Sequence, residues 1–306
     1  MFRSMRLGLA SPALVATTAC ASVPAVDVSA MKFVEAAGVR THVAEWGSGE
    51  SVLLIHGASS DIGVWEPTIV PALKDRFRVA AYDRPGMGFT DQRPADAGRL
   101  DVQAKVATGV IEQLGLTKPI VVGHSWGGAV ALRLALDRPD LVGGLVLIAP
   151  VAYQWPGGVS WHIYWSSNPL VGGLFNNVLA PPFSESAVRS GLAAAFGPSP
   201  VPEGYFEKAS SVRVVRPAAM RANSLDLIAS KREIIAQQAR YPEIKVPVAI
   251  LAGDSDSVVS STIHALKLAQ TLPNARIDVL QGVGHLPHEA SPERFAKLLD
   301  WVKSAK

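Results

Sequence analysis

Residues 120–128 read IVVGHSWGG, and this stretch decides the fold. A short apolar run leads into Gly-x-Ser-x-Gly, and residues 129–136, AVALRLAL, then have the composition of a buried helix. The order strand, tight turn, helix predicts a serine on a strained turn whose close backbone contacts require glycine. Ser125 is therefore predicted to project at the edge of a sheet near a helix N-terminus, as the candidate nucleophile.

Working outward from this stretch, short and mostly apolar runs recur along the chain, at residues 52–55, 79–82, 145–148, 248–251 and 277–280. Stretches with helical spacing separate most of them. Strands that are apolar on both faces and alternate with helices predict an α/β fold with a mainly parallel, doubly wound sheet covered on both sides. Residues 34–44, with Gly38 at the turn, predict a hairpin ahead of this sheet.

One interval, from about residue 151 to residue 241, interrupts the alternation of strands and helices. It is rich in Trp, Pro and Gly at first and then helical in pattern, without a clear strand. An insertion of this kind between two strands predicts a helical lid over the strand ends where ligands bind. The predicted organisation is a signal-like segment and linker (1–30), a first core part (31–150), the lid (151–241) and a second core part (242–306).

The N-terminal segment has the layout of a bacterial secretory signal, because Arg3 and Arg6 precede an apolar stretch at residues 7–19. That stretch is shorter than the roughly 20 residues that cross a bilayer, so a transmembrane helix is the weaker interpretation. We therefore expect an exported protein.

Two forms of export remain open. Cys20 is the only cysteine, which excludes an intramolecular disulfide and a thiolate metal cluster. Its position resembles the acylated residue of a lipoprotein signal, although Thr17 stands where such signals usually carry Leu. Cys20 is thus the candidate lipid attachment that would hold the protein on a membrane. Cleavage after Ala21 would instead give a soluble periplasmic protein, and a misassigned start would leave a cytoplasmic one.

Composition narrows the classes of partner. The chain is 48% hydrophobic and 18% charged with a formal net charge of +3, as in ordinary globular proteins. Its basic residues are scattered, so nucleic acid is not an expected partner. His162 has no second histidine or carboxylate at ligand spacing, so no metal is predicted, and no cofactor is expected.

A serine hydroxyl needs a base within hydrogen-bond reach and a third group that orients the base. His285 follows the last predicted strand and is the candidate base. Asp254 and Asp256 both follow the strand at 248–251, and Asp256 is preferred because residues 253–256 give the chain room to turn back. After the preceding strand, at residues 145–148, no acidic residue occurs until Glu185, so that strand supplies no competing acid.

The tetrahedral intermediate of such a reaction carries a negative oxygen that needs hydrogen-bond donors already in place. One predicted donor is the backbone N–H of Trp126, directly after the nucleophile. The other is the N–H of Ala58, in the loop after the strand at 52–55. His56 in the same loop is expected to brace it and not to touch substrate.

From about residue 32 onward, the chain resembles the α/β-hydrolase family of esterases, lipases and related enzymes. The matching motifs are the Ser125 turn and residues 56–57 (HG), 83–88 (DRPGMG), 253–256 (GDSD) and 284–289 (GHLPHE). The resemblance implies the fold and a Ser125, Asp256, His285 triad in the family's chain order. Haloalkane dehalogenases and epoxide hydrolases of this fold carry Asp where this chain has Ser125, which disfavours both activities.

The function implied is hydrolysis of a carboxylic ester, or of a related acyl substrate such as a lactone, through an acyl-enzyme. A small apolar ester-like molecule is the expected partner. Alternatives are a carbon–carbon bond hydrolase, a cofactor-free perhydrolase, an aminopeptidase and a small-molecule receptor on the same fold. Candidate pocket residues are Trp155, Trp161, Trp165 and Phe175, which would suit an apolar acyl or alcohol group.

Overall fold

A computed structural model describes residues 29–90, 93–209 and 211–306, and in them the apolar runs pair into one eight-stranded sheet. The strand order is β1-β2-β4-β3-β5-β6-β7-β8. The strands are β1 (Lys32–Ala36), β2 (Val39–Trp46), β3 (Glu50–Ile55), β4 (Phe77–Tyr82), β5 (Ile120–His124), β6 (Gly144–Ile148), β7 (Val248–Gly253) and β8 (Ala275–Leu280). β2 runs antiparallel to β1 and β4, and the other pairings are parallel, which confirms the predicted fold class.

The sheet is covered on both faces because side chains along each strand alternate between two cores. Leu53 and Ile55 of β3 face one core, and Val52 and Leu54 face the other. Helices α2 and α3 pack on the first face, and α1 and α11 pack on the second. The helices are α1 (Ile69–Leu73), α2 (Leu100–Gln113), α3 (Trp126–Asp137), α4 (Trp161–Ser167), α5 (Gly172–Leu174), α6 (Pro181–Phe196), α7 (Tyr205–Lys208), α8 (Pro217–Gln237), α9 (Lys267–Thr271), α10 (Pro287–Ala290) and α11 (Pro292–Ser304).

The predicted hairpin is the β1–β2 pair. Ala36 pairs with Val39, and the two residues between them, Ala37 and Gly38, both have positive φ angles of 51° and 77°. Two positive φ angles in a two-residue connection match the right-handed twist of the flanking strands. The turn therefore fixes the register of the antiparallel edge of the sheet.

Helices fill the interval between β6 and β7, which we call the β6–β7 segment (residues 149–247). Five α-helices, α4 to α8, lie there, and no strand occurs among its described residues. Two further turns of 3₁₀ helix and one of π-helix connect them, at Ser211–Val215, Gln238–Glu243 and Phe175–Leu179. The helical character predicted for residues 151–241 agrees with this arrangement, and their assignment as a lid stays a prediction.

The N-terminal segment with Cys20 lies outside the described residues. Within the part of the chain that is described, no helix is both long and apolar enough to span a bilayer.

Candidate active site

Ser125 lies at the junction of β5 and α3 with φ 52° and ψ −117°, a conformation that few non-glycine residues adopt. Three backbone hydrogen bonds anchor it: its N–H donates to the Ile148 carbonyl at 2.9 Å, and its carbonyl accepts from the N–H groups of Gly128 at 3.0 Å and Val151 at 3.1 Å. Strained backbone of this kind persists only where the surrounding structure holds it. The strand-turn-helix geometry predicted for residues 120–128 is therefore present.

The glycines of the turn are required by close backbone approach. A Cβ on Gly127 would lie 2.2 Å from the Ile55 carbonyl oxygen, and one on Gly123 would lie 2.5 Å from the Gly127 carbonyl oxygen. Both distances are far below van der Waals contact, so any larger residue would displace the turn from β3. The Gly-x-Ser-x-Gly pattern thus has a steric cause in this chain.

His285 and Asp256 form a close pair in the loops that follow β8 and β7. The Nδ1 atom of His285 lies 2.7 Å from Oδ2 of Asp256, and both side chains are buried. The other carboxylate oxygen of Asp256 accepts from the N–H groups of Val258 and Val259, each at 2.8 Å. The carboxylate is therefore fixed on both sides, and it holds the imidazole by one nitrogen.

Asp254, the alternative acid, is turned elsewhere. Its Oδ1 accepts from the Gly282 N–H at 2.7 Å and from the Ser255 hydroxyl at 2.8 Å, and the residue is exposed. These bonds brace the loop after β8, and neither of them involves His285. The geometry favours Asp256 as the orienting acid.

His124, which precedes Ser125, connects the turn to the loop that carries His285. Its Nε2–H donates to the His285 carbonyl at 3.1 Å, and the two rings lie 4.8 Å apart. The N–H of His285 donates to the Ala195 carbonyl of α6 at 2.8 Å, so the β6–β7 segment also supports this loop. Burial lowers the pKa of His124 well below its usual value, so it is neutral and serves as a fixed donor.

Residues 288 and 289 lie beneath the same loop. His288 is fully buried, its ring is 5.1 Å from that of His124 and 5.7 Å from that of Trp65, and burial lowers its pKa to about 3. Glu289 accepts from the Thr68 hydroxyl at 2.5 Å, and burial raises its pKa to about 7. These contacts make both residues buried supports of the loop that carries His285.

The two predicted oxyanion donors lie on either side of the Ser125 turn. Trp126 is the first residue of α3, and the first N–H groups of a helix have no acceptor within it. The loop of Ala58 passes directly over the turn, since a Cβ on Gly57 would lie 3.2 Å from the Cβ of Ser125. Trp126 directly follows the serine and the loop of Ala58 passes close to it, and the role of both N–H groups as donors remains a prediction.

His56 has the contacts of a brace. Its Nε2 accepts from the Arg84 backbone N–H at 3.0 Å, so the proton must be on Nδ1, which donates to the Gly57 carbonyl at 2.9 Å. The ring is fully buried, and burial together with the charge of Arg84 lowers its pKa to about 3. His56 is thus a neutral support of the loop.

Three of the four candidate pocket residues form an aromatic cluster in the β6–β7 segment. The rings of Trp161, Trp165 and Phe175 lie 6.2 to 6.4 Å from one another. Trp161 is 67% exposed and Trp165 is 50% exposed. The three rings contact one another, and Trp161 also contacts the ring of His162, so the structure groups these candidates into one cluster.

Trp155 lies apart from that cluster, 5.9 Å from the ring of His264. It lines an open groove of about 370 Å³ together with Gln154, Pro156, Lys231, Gln238 and Lys267. That lining includes none of the three candidate catalytic residues. His162 is exposed beside Trp161. Residues 151–184, which contain all four candidate pocket residues, include no Asp, Glu, Lys or Arg.

Sequence reasoning missed two residues that support the site from α8, namely Asn223 and Asp226. Asn223 contacts Ser59, and Asp226 pairs with Arg84, a residue of the 83–88 motif to which no role was assigned. No local signal marks Asp226, because helix α8 carries a second carboxylate, Glu233, and several basic residues. The sequence did not indicate that the partner lay 142 positions earlier.

Comparison with known proteins shows that this chain is similar to hydrolases. Residues 52–298 match the family model described as "Alpha/beta hydrolase family". The chain is 28% identical to the 2-hydroxymuconate semialdehyde hydrolase of Pseudomonas sp. (strain CF600) over 86% of this chain and 90% of that protein. It is also 28% identical to haloalkane dehalogenase 2 of Mycobacterium bovis, over 84% and 89% of the two chains. An esterase structure from Exiguobacterium antarcticum shares the fold with a TM-score of 0.70 at 21% identity, covering 89% and 99% of the two chains.

Proposed function

Because this chain belongs to the alpha/beta hydrolase family, we propose that it is a serine hydrolase that cleaves a carboxylic ester, or a related acyl compound such as a lactone. The observation that carries the proposal is the strained Ser125 turn at the same sheet edge as the buried His285–Asp256 pair, whose facing atoms are 2.7 Å apart. Nucleophile, base and orienting acid then come from the loops after β5, β8 and β7.

In the proposed mechanism, the carboxylate of Asp256 accepts the Nδ1 proton of His285, which leaves Nε2 as the base. Nε2 takes the proton of the Ser125 hydroxyl as Oγ attacks the substrate carbonyl. The N–H groups of Ala58 and Trp126 stabilise the negative oxygen of the tetrahedral intermediate. His285 returns the proton to the leaving alcohol, and water then hydrolyses the acyl-enzyme by the same route in reverse.

A serine at the turn argues against the reaction of the haloalkane dehalogenase relative. Displacement of a halide by Oγ of Ser125 would form an alkyl ether, which has no carbonyl for water to attack. An acyl substrate instead forms an ester with Ser125, and that ester is hydrolysed. The residue type at position 125 therefore favours acyl chemistry.

The uncharged stretch at residues 151–184 supports an apolar substrate. Charged groups on a ligand need charged or strongly polar partners when they lose water, and this part of the β6–β7 segment contains none of the four charged residue types. We propose that residues 151–241 cover the site as a lid and that Trp161, Trp165 and Phe175 contribute its apolar surface.

The second candidate function is cleavage of a carbon–carbon bond next to a carbonyl. It is favoured by the 28% identity, over 90% of its length, to the 2-hydroxymuconate semialdehyde hydrolase. Both reactions begin at a carbonyl and use the same serine-site geometry. Only the substrate distinguishes them.

The test is a substrate screen of the purified protein. The panel contains p-nitrophenyl esters of graded acyl length, γ- and δ-lactones, and a vinylogous diketone formed by ring cleavage. We expect multiple turnovers of the aryl esters. We also expect an initial burst of one p-nitrophenol per protein chain as the acyl-enzyme forms. Turnover of the diketone alone would contradict the ester proposal in favour of the second candidate. Failure to turn over any compound more than once would indicate a receptor.

We further propose that the enzyme is exported and attached to a membrane through Cys20. Each buried CH₂ of an attached fatty chain contributes about 0.8 kcal/mol, so several chains would hold the protein at a bilayer. Cells labelled with a fatty-acid probe should incorporate label into the wild-type protein, and Cys20→Ser should abolish labelling and release the protein into the soluble fraction. An unlabelled wild-type chain that begins near Ser22 would indicate simple export instead. Retention of Met1 in the cytoplasm would contradict both forms of export.

A further inference from the structure

Helix α8 supports the loop that carries Ala58. We refer to residues 56–59 as the oxyanion loop. The peptide between Gly57 and Ala58 is planar and trans, so the direction of the Gly57 carbonyl fixes the direction of the Ala58 N–H. That carbonyl accepts from Nδ1 of His56 and from Nη2 of Arg84, both at 2.9 Å. The orientation of the proposed oxyanion donor therefore depends on Arg84.

Arg84 depends in turn on Asp226. Both side chains are fully buried, and Nη1 of Arg84 donates to Oδ2 of Asp226 at 2.6 Å. Nε of Arg84 donates to the His56 carbonyl at 3.1 Å, so the guanidinium holds two successive carbonyls of the oxyanion loop. Oδ1 of Asp226 accepts from Nη2 of Arg93 at 2.8 Å. A buried guanidinium without a carboxylate partner is strongly destabilising, so Asp226 fixes the position of Arg84.

The next peptide of the loop, between Ala58 and Ser59, is held by a second residue of α8. Oδ1 of Asn223 accepts from the Ser59 N–H at 2.7 Å, and Nδ2 of Asn223 donates to the Ser59 hydroxyl at 2.9 Å. Ser59 has a φ of 50°, which a non-glycine residue adopts at an energetic cost. An external support is therefore needed at this position.

Asn223 and Asp226 are three residues apart on α8 and thus share one face of the helix. Between them they fix both peptides that flank Ala58. We propose that this face of α8 is a clamp that sets the direction of the Ala58 N–H, with Asn223 and Asp226 as positioning residues for the transition state. The inference rests on the proposed function, because it assigns Ala58 the role of oxyanion donor.

The clamp predicts a specific kinetic signature. A misdirected oxyanion donor weakens binding of the transition state and leaves binding of the ground-state ester almost unchanged. We expect Asn223→Ala to lower kcat about tenfold and Asp226→Asn to lower it about 10²-fold, each with little change in KM. The measurement is steady-state hydrolysis of the best aryl ester from the screen, with circular dichroism to confirm that each variant is folded.

Two comparisons separate positioning from a general effect on the fold. Asn223→Asp keeps an oxygen that accepts from the Ser59 N–H and should restore most of the lost kcat. Asn177→Ala is the matched control, since Asn177 lies in the same β6–β7 segment and its amide donates to the Gly173 carbonyl within its own turn. This variant should keep wild-type kcat.

A trifluoromethyl ketone gives a second readout, because its adduct with a serine places an oxyanion between the same donors. Its inhibition constant should rise by the factor by which each variant lowers kcat/KM. An unchanged kcat in folded Asn223→Ala, or a loss that appears only in KM, would overturn the clamp while leaving the serine-hydrolase proposal intact. Absence of ester turnover by the wild-type protein would instead contradict the proposed function.

Discussion

Ser125→Ala is expected to reduce ester turnover by about 10⁶-fold, the scale found when the nucleophile is removed from serine proteases. The loss is large because Oγ supplies the covalent route, and the remaining groups can only bind substrate and polarise its carbonyl. The substitution removes one oxygen from a residue whose backbone bonds to Ile148 and Val151 do not involve that atom. Initial rates on the best aryl ester, with a burst assay for acyl-enzyme, provide the measurement.

The melting temperature of Ser125→Ala is the necessary companion measurement. Alanine retains the Cβ and therefore the same preference against positive φ, so thermal unfolding should change little. Thr90→Ser is a suitable control for the effect of a small buried substitution on thermal unfolding and activity. It keeps the hydroxyl that accepts from the His42 N–H and removes only a buried methyl group. Activity that survives in folded Ser125→Ala would end the serine-hydrolase proposal.

The sheet could be predicted from sequence because its strands are buried on both faces and therefore form continuous apolar runs. Residues 145–148, for example, are apolar throughout, and in the structure Leu145 and Leu147 face one core while Val146 and Ile148 face the other. The Ser125 turn was predictable for a related reason, since Gly123 and Gly127 are required by backbone distances that exclude any side chain. In both cases a local physical constraint produces a pattern that can be recognised in the sequence.

The residues that support the site could not be predicted from a local sequence pattern. The pairing of Asp226 with Arg84 joins positions 142 residues apart, and no local pattern encodes which carboxylate meets which guanidinium. The aromatic residues of the β6–β7 segment present a similar difficulty. Trp155 and Trp161 are equally apolar in the sequence. In the structure Trp155 lies in the loop before α4 and packs against the core, whereas Trp161 lies on the short helix α4 and is mostly exposed, because tertiary packing decides how such short segments are oriented.

The two candidate acids are distinguished by the three-dimensional course of the loop after β7. Asp254 and Asp256 both follow β7, and a difference of two residues decides which part of the loop each side chain meets. Oδ1 of Asp254 binds the Gly282 N–H, whereas Oδ2 of Asp256 binds Nδ1 of His285. Both carboxylates are hydrogen-bonded, so the number of bonds does not identify the acid. What distinguishes Asp256 is that its partner is the ring of the candidate base.

Asp256→Asn is therefore expected to lower kcat about 10⁴-fold, as loss of the corresponding charge does in serine proteases. An asparagine amide turned toward Nδ1 donates a hydrogen bond where the carboxylate accepted one, so it stabilises the tautomer that carries its proton on Nε2. In that tautomer Nε2 has no lone pair to receive the Ser125 proton. The asparagine also lacks the negative charge that stabilises the imidazolium.

Asp254→Asn is the matched comparison and should lower kcat far less, because the Asp254 carboxylate braces Gly282 and does not orient the base. The measurement is kcat of both variants on the same aryl ester, with labelling by a fluorophosphonate as an independent report on serine reactivity. The reverse order of effects would assign the acid to Asp254 and would require the loop after β7 to turn the other way during catalysis.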